Sequence, residues 1–166
     1  MKAEKLYLVG FMAAGKTTVA RALAKRLGWE AVDVDDLIEQ REHATVAEIF
    51  AKHGEVYFRA VERGVLLEQV GRPHLVVATG GGTFVDAQNR VAINRDGASV
   101  WLDVPLQRLI DRIPIDGRRP LANDRVALER LYHQRRAAYE QAHFRLDAGR
   151  ASVDALVEQL VDWLGA

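Results

Sequence analysis

The sequence predicts a three-layer α/β fold on a mainly parallel sheet, and three observations carry that prediction. Strand-like and helical patterns alternate along the whole length. An apolar, β-prone run, Lys5-Leu6-Tyr7-Leu8-Val9, feeds into Gly10-Phe11-Met12-Ala13-Ala14-Gly15-Lys16-Thr17-Thr18, a GxxxxGK[ST] phosphate loop, and a helix-forming series follows at 19–27. A second apolar run, Leu75-Val76-Val77-Ala78, ends in Thr79-Gly80-Gly81-Gly82, at a strand's carboxyl end, where ligands collect in open α/β sheets.

The remaining elements follow in order. Gly28 closes the first helix, and Ala31-Val32-Asp33 reads as a short buried strand. Residues 36–42 look helical, with Asp36 as the expected cap. Thr45-Val46-Ala47-Glu48 has capping-box spacing and starts a helix through His53, which Gly54 breaks. Residues 55–70 form another helix, bounded by Gly71 and Pro73. After the glycine run come a helix over 87–94 and a strand over 99–102. Pro105 suits the first turn of a helix that runs to Arg112. Between 113 and 124 the periodicity fails, and two prolines and two arginines make that stretch a candidate mobile lid. A helix over 125–139, a strand over 144–147 and a final helix capped by Ser152 and ending at Leu164 complete the chain.

Composition narrows the class. At 166 residues, 49% hydrophobic and 28% charged, the chain fits one soluble domain spanning 1–166 with no internal linker. No apolar run is long enough to cross a bilayer, so no membrane partner is expected. Twenty-three basic and twenty-three acidic residues cancel, leaving no global field to draw the protein onto nucleic acid. Cysteine is absent, which excludes disulfide and thiolate chemistry and fits a cytoplasmic location. A monomer is expected.

The phosphate loop implies a nucleoside triphosphate. Small residues at Ala13, Ala14 and Gly15 let backbone N–H groups converge on a phosphate at the positive end of a helix. Lys16 adds a mobile cation, and the Thr17 hydroxyl suits the shell of Mg²⁺. Asp33-Val34-Asp35 is the second signal: with Val32 and Val34 facing the core, both carboxylates leave the strand end near the loop, one for Mg²⁺ and one for an acceptor hydroxyl. A solvated acidic turn capping the next helix is the alternative. Phe58-Arg59-x-x-Glu62 places an arginine and a glutamate one helical turn apart. That pair is either an exposed salt bridge or an arginine held rigid to grip an acidic small molecule. Arg118-Arg119-Pro120 suggests a cation for the γ-phosphate, and Arg135-Arg136 precedes Tyr139 by a turn. His43, His53, His74, His133 and His143 show no ligand spacing and read as surface or packing residues.

Taken together and in order, these motifs resemble the shikimate kinase family over nearly the whole chain. The resemblance rests on the loop from Gly10 to Thr18, Asp33-Val34-Asp35, Ile49-Phe50 with Gly54-Glu55, Phe58-Arg59-x-x-Glu62, Gly80-Gly81-Gly82, Arg119-Pro120-Leu121 and Arg135 four before Tyr139. It implies a nucleoside-monophosphate-kinase-like αβα P-loop NTPase fold with five parallel strands, moving the γ-phosphoryl of ATP to the 3-hydroxyl of shikimate. By similarity, Lys16 and the backbone of 13–18, Thr18 included, hold the phosphates, while Thr17 and, through water, Asp33 hold Mg²⁺. Asp35 acts as base or orienter. Arg59, Gly81 and Arg135 fix the shikimate carboxylate and ring beside Gly80 and Gly82, and Phe50, Phe58 and Glu62 shape the pocket. Arg119 is the lid cation, and Arg112 aligns with a position that stacks on adenine.

Three positions depart from the family pattern. Ala13 stands where glycine is usual, so a positive φ there carries strain. His43 replaces a common glycine. Ala137 replaces the usual proline, so the helix is free to run on, which leaves open which of Arg135 and Arg136 enters the site. Two other readings stay open: a kinase of the same fold for another hydroxy acid such as gluconate, and a non-catalytic nucleotide-binding domain.

Overall fold

The computed structural model describes residues 1–113 and 124–166. Five strands form one sheet: β1 (Lys5–Val9), β2 (Glu30–Asp33), β3 (Leu75–Ala78), β4 (Ala98–Asp103) and β5 (Phe144–Asp147). Their order is β2-β3-β1-β4-β5, and every pairing is parallel. The register sets Val9 beside Trp101 and Asp33 beside Ala78, so the carboxyl ends of β1 to β4 share one edge. The three central strands are buried along their whole length, as strands covered on both faces must be.

Among the described residues seven α-helices connect and cover the sheet: α1 (Lys16–Leu27), α2 (Val34–Glu42), α3 (Val46–Gln69), α4 (Ala87–Asp96), α5 (Leu106–Arg112), α6 (Arg125–Tyr139) and α7 (Val153–Leu164). Gly28, at φ 71°, ends α1 in the left-handed conformation and bonds back to Ala24 and Lys25. Thr45 and Glu48 form the expected reciprocal cap of α3, and Ser152 caps α7. Gly54 interrupts α3 at φ 83°, ψ 176°, a conformation open to glycine. No described helix is long and apolar enough to cross a membrane.

The structure corrects the reading of the acidic stretch. β2 passes into α2 without a loop, and Val34 is the fully buried first residue of that helix. Asp33 is therefore the cap, its carboxylate accepting from the Asp36 amide, and Asp36 is capped rather than capping. Asp35 belongs to the first helical turn, not to the strand end. Helices α2 and α4 also extend beyond the expected bounds at one end, because buried Val34 and the Asp96 interactions described below hold those turns in place.

Ala13 and His43 have the positive φ that glycine would ease, 64° and 52°. At 137 the helix runs on unbroken to Tyr139, as expected without a proline.

Candidate active site

Between β1 and α1 the chain wraps into the phosphate loop. Gly10, at φ 149°, lies where an added Cβ would stand 3.0 Å from the Leu102 carbonyl oxygen. Gly15, at φ 97°, turns the chain into α1, aiming the helix's first amides at the loop's hollow. Ala14 is buried, its amide donating to the Phe11 carbonyl at 3.2 Å, while Thr18 faces solvent on the first turn. The Lys16 ammonium is buried and donates to the carbonyls of Gly10 (2.5 Å) and Phe11 (3.0 Å), so it lies over the loop rather than outside it. The Thr17 hydroxyl donates to the Asp33 carboxylate, joining the two expected Mg²⁺ ligands. Arg112, at the end of α5, reaches the loop from the other side, with Nη1 3.4 Å from the Ala13 carbonyl oxygen.

The glycine run is the hub of the acceptor side. None of its three glycines has a positive φ, so what they supply is room. A Cβ on Gly80 would stand 2.8 Å from the Asp35 carboxylate, and one on Gly81 would stand 2.9 Å from Arg135 Nη1 and 3.5 Å from the Met12 amide nitrogen. A Cβ on Gly82 would fall on the Arg59 guanidinium. One turn of backbone thus touches a carboxylate from α2, an arginine from α6, an arginine from α3 and the phosphate loop.

These groups are held from behind. Arg59 Nη1 donates to both Glu62 oxygens at 2.9 and 3.0 Å, and Glu62 is only 1% exposed. A carboxylate this buried, with one guanidinium nitrogen shared between its two oxygens, excludes the solvent-exposed salt-bridge alternative. Glu62 also accepts from the Thr83 hydroxyl at 2.9 Å, and Thr83 Oγ1 accepts from the Gly80 amide at 3.0 Å, which ties the pair to the glycine turn. The Phe50 and Phe58 rings pack at 4.5 Å, and the Arg59 guanidinium lies 5.2 Å over Phe58. Tyr139 donates to the Gly81 carbonyl at 2.5 Å. Burial pushes its phenol up to about 12, against the lowering pull of the Arg135 and Arg59 charges. Burial likewise pushes the Arg135 guanidinium down; Tyr139 opposes this and the nearby Arg59 charge adds to it.

Two cations therefore share one partly buried place, an arrangement that asks for an anion. Arg135 is the member of the arginine pair that enters the site. Arg136 turns instead to Asp103 at 3.2 Å and Tyr132 at 2.8 Å. Arg119 and the lid expected at 113–124 lie outside the described residues, apart from Ile113 and Asp124 at its ends. Sequence reasoning missed Thr83, whose only signal is its place directly after the three glycines.

A model of the shikimate kinase family matches residues 12–165. The chain belongs to the shikimate kinase family. A shikimate kinase from Sulfurihydrogenibium sp. is 37% identical over 159 residues, covering 95% of this chain and 96% of that protein. One from Synechococcus elongatus is 42% identical over 144 residues, 85% of this chain and 75% of that one. Among solved structures, the shikimate kinase from Acinetobacter baumannii in complex with shikimate superposes with a TM-score of 0.93 at 38% identity, covering 97% of this chain and 92% of that one. A deoxyadenosine kinase from M. mycoides with bound dATP, 20% identical with a TM-score of 0.66, shares the fold and covers 98% of this chain and all of that one. The five-stranded parallel P-loop kinase fold is thus the one shikimate kinases have.

Proposed function

We propose that this protein transfers the γ-phosphoryl group of ATP to the 3-hydroxyl of shikimate, giving shikimate 3-phosphate and ADP. The observation that carries the reading is the convergence of Asp35, Arg59 and Arg135 on the glycine turn, with the Met12 amide of the phosphate loop against the same turn. A small acid bearing a hydroxyl fits this set: its carboxylate meets two guanidiniums while its hydroxyl faces a carboxylate beside the nucleotide site.

In this reading, Lys16 and the amides of 13–18 hold the phosphates, and Arg112 lies along the base. The acceptor oxygen forms a bond to the γ-phosphorus as the bond to the leaving ADP oxygen breaks, and Asp35 takes the hydroxyl proton. Phe50 and Phe58 back the ring, and Glu62 keeps Arg59 aimed at the carboxylate. The joined oxygens of Thr17 and Asp33 suit Mg²⁺, a hard cation that prefers oxygen ligands, and would hold it at the mouth of the phosphate loop, Asp33 through water. When bound there, Mg²⁺ neutralises phosphate charge.

The test is ADP release measured with shikimate, gluconate and nucleoside monophosphates in turn. Turnover with shikimate alone is expected, and turnover with gluconate but not shikimate would discard the reading in favour of a kinase for another hydroxy acid. Asp35→Asn, which keeps the shape and removes the base, is expected to lower kcat by about a hundredfold or more. A wild-type rate in that variant would remove Asp35 from the chemistry, and no turnover with any acceptor would indicate a non-catalytic domain.

A further inference from the structure

We propose that Arg136 is a positioning residue: its ion pair with Asp103 fixes the rotation of α6 and so holds Arg135 against the glycine turn. The proposal rests on the reading of Arg135 as a carboxylate ligand.

Adjacent residues on a helix point about 100° apart, so Arg135 and Arg136 cannot both face the acid. The helix carries two neighbouring stripes. Arg135 and Tyr139 face the glycine turn, where Tyr139 bonds Gly81. Tyr132 and Arg136 face the carboxyl end of β4, where Tyr132 donates to the Val104 carbonyl at 3.1 Å and Arg136 donates to Asp103. The Arg136 guanidinium also lies 4.9 Å over Trp101. Trp101 is paired in register with Val9 and stands 3.6 Å from where a Cβ on Gly10 would be. The second stripe therefore grips the strand beside the phosphate loop.

The first stripe needs that grip. Arg135 is half-buried beside the glycine turn, where its burial and the Arg59 charge disfavour its own charge, and Tyr139 and Glu62 hold it there only if the helix keeps its rotation. Arg136 experiences the opposite: burial alone disfavours its charge, but Tyr132 and Asp103 more than compensate. Asp103 is 7% exposed, so separating it from its partners leaves a carboxylate poorly solvated. One favourable pair on the helix thus opposes the repulsion one residue away.

A control is built into the fold. Arg145, on β5, donates to the same Asp103 with Nε at 2.7 Å and lies 5.5 Å over the same Trp101, but it does not belong to α6. The experiment measures shikimate KM, ATP KM and kcat for Arg136→Gln, Arg145→Gln, Arg135→Ala and the Arg135→Ala/Arg136→Gln pair, with a thermal melt of each. Arg136→Gln is expected to raise shikimate KM about tenfold while kcat and ATP KM stay within about twofold. Arg145→Gln should leave shikimate KM within about twofold, and Arg136→Gln should add nothing once Arg135 is gone. Equal KM effects from the two glutamine variants, or independent losses in the double variant, overturn the proposal. If Arg136→Gln does not fold, Arg136→Lys and Asp103→Asn take its place, and an unchanged shikimate KM in both overturns it as well. An Arg135→Ala variant with normal shikimate KM sinks the carboxylate-ligand reading itself. A raised KM there with a normal one in Arg136→Gln sinks only the positioning role.

Discussion

At Gly82 an added Cβ would stand 2.6 Å from Arg59 Nη1 and 2.7 Å from its Cζ, yet the backbone there, φ −101° and ψ −7°, is open to any residue. The constraint is space around a functional group, not conformation. Because the displaced group is the end of a flexible side chain, Gly82→Ala should change stability by less than about 1 kcal/mol, since no core packing is lost. It should raise shikimate KM about tenfold or more, since Arg59 cannot keep its place. A steady-state assay beside a thermal melt checks both; a normal KM would mean that Arg59 is not held at the turn. Ala13 presents the reverse case: nothing in the sequence crowds it, but its φ of 64° strains an L-residue by about 1 kcal/mol. The first constraint is legible in the glycine run itself, whereas the second is legible only against the family pattern, where glycine is usual at Ala13.

Secondary elements were legible where the chain itself marks their ends. β3, α6 and α7 have the bounds that the sequence implies, since each is flanked by glycine, proline or an Asx or Ser cap. The start of α2 was not legible, because β2 and α2 adjoin without a loop, and Val34, though strand-like, is buried as a helical residue. The signal was the spacing of Asp33 and Asp36, a cap and the amide it receives. The kink in α3 was legible from Gly54 alone. It separates the turn bearing Phe50 from the turn bearing Phe58 and Arg59, whose rings nonetheless meet at 4.5 Å. Gly54→Ala should cost about 1–3 kcal/mol, because φ 83° with ψ 176° excludes a Cβ at low energy. If α3 straightens to relieve this, the Phe50–Phe58 contact opens and shikimate KM rises. A variant with wild-type stability and KM would show that the kink has no part in shaping the pocket.

Across the whole molecule the sheet separates chemistry from cohesion. The site occupies the carboxyl ends of the strands, while the opposite end of β1 carries a buried polar cluster with no part in it. There the Lys5 ammonium donates to the Gln69 carbonyl and pairs with Asp96 at 2.5 Å. Tyr7 donates to Asp96 at 2.5 Å, and the Gly71 amide donates to it at 2.8 Å. This cluster fastens the ends of α3 and α4 to β1, and it was not legible in the sequence, since its members lie up to 91 positions apart and only the topology unites them. Burial alone would raise the Asp96 pKa, but hydrogen bonds from Lys5, Tyr7 and Gly71, together with the Lys5 charge, hold it below the ordinary value. A depressed carboxyl contributes stability that is fully present above its unfolded pKa of about 4 and is lost as pH falls through the folded value. With side chains 4% and 11% exposed, the pair is buried, so Asp96→Asn should cost about 3 kcal/mol at neutral pH. The gap between variant and wild type should narrow as pH drops below about 4, where the wild-type carboxyl protonates too. Denaturant titrations from pH 7 to 2 test this, and a gap constant across that range would mean that the charge on Asp96 is not what binds the cluster. Well below its melting temperature the variant should keep the wild-type kcat and shikimate KM, because the groups it loosens lie at the far edge of the sheet from Asp35, Arg59 and Arg135.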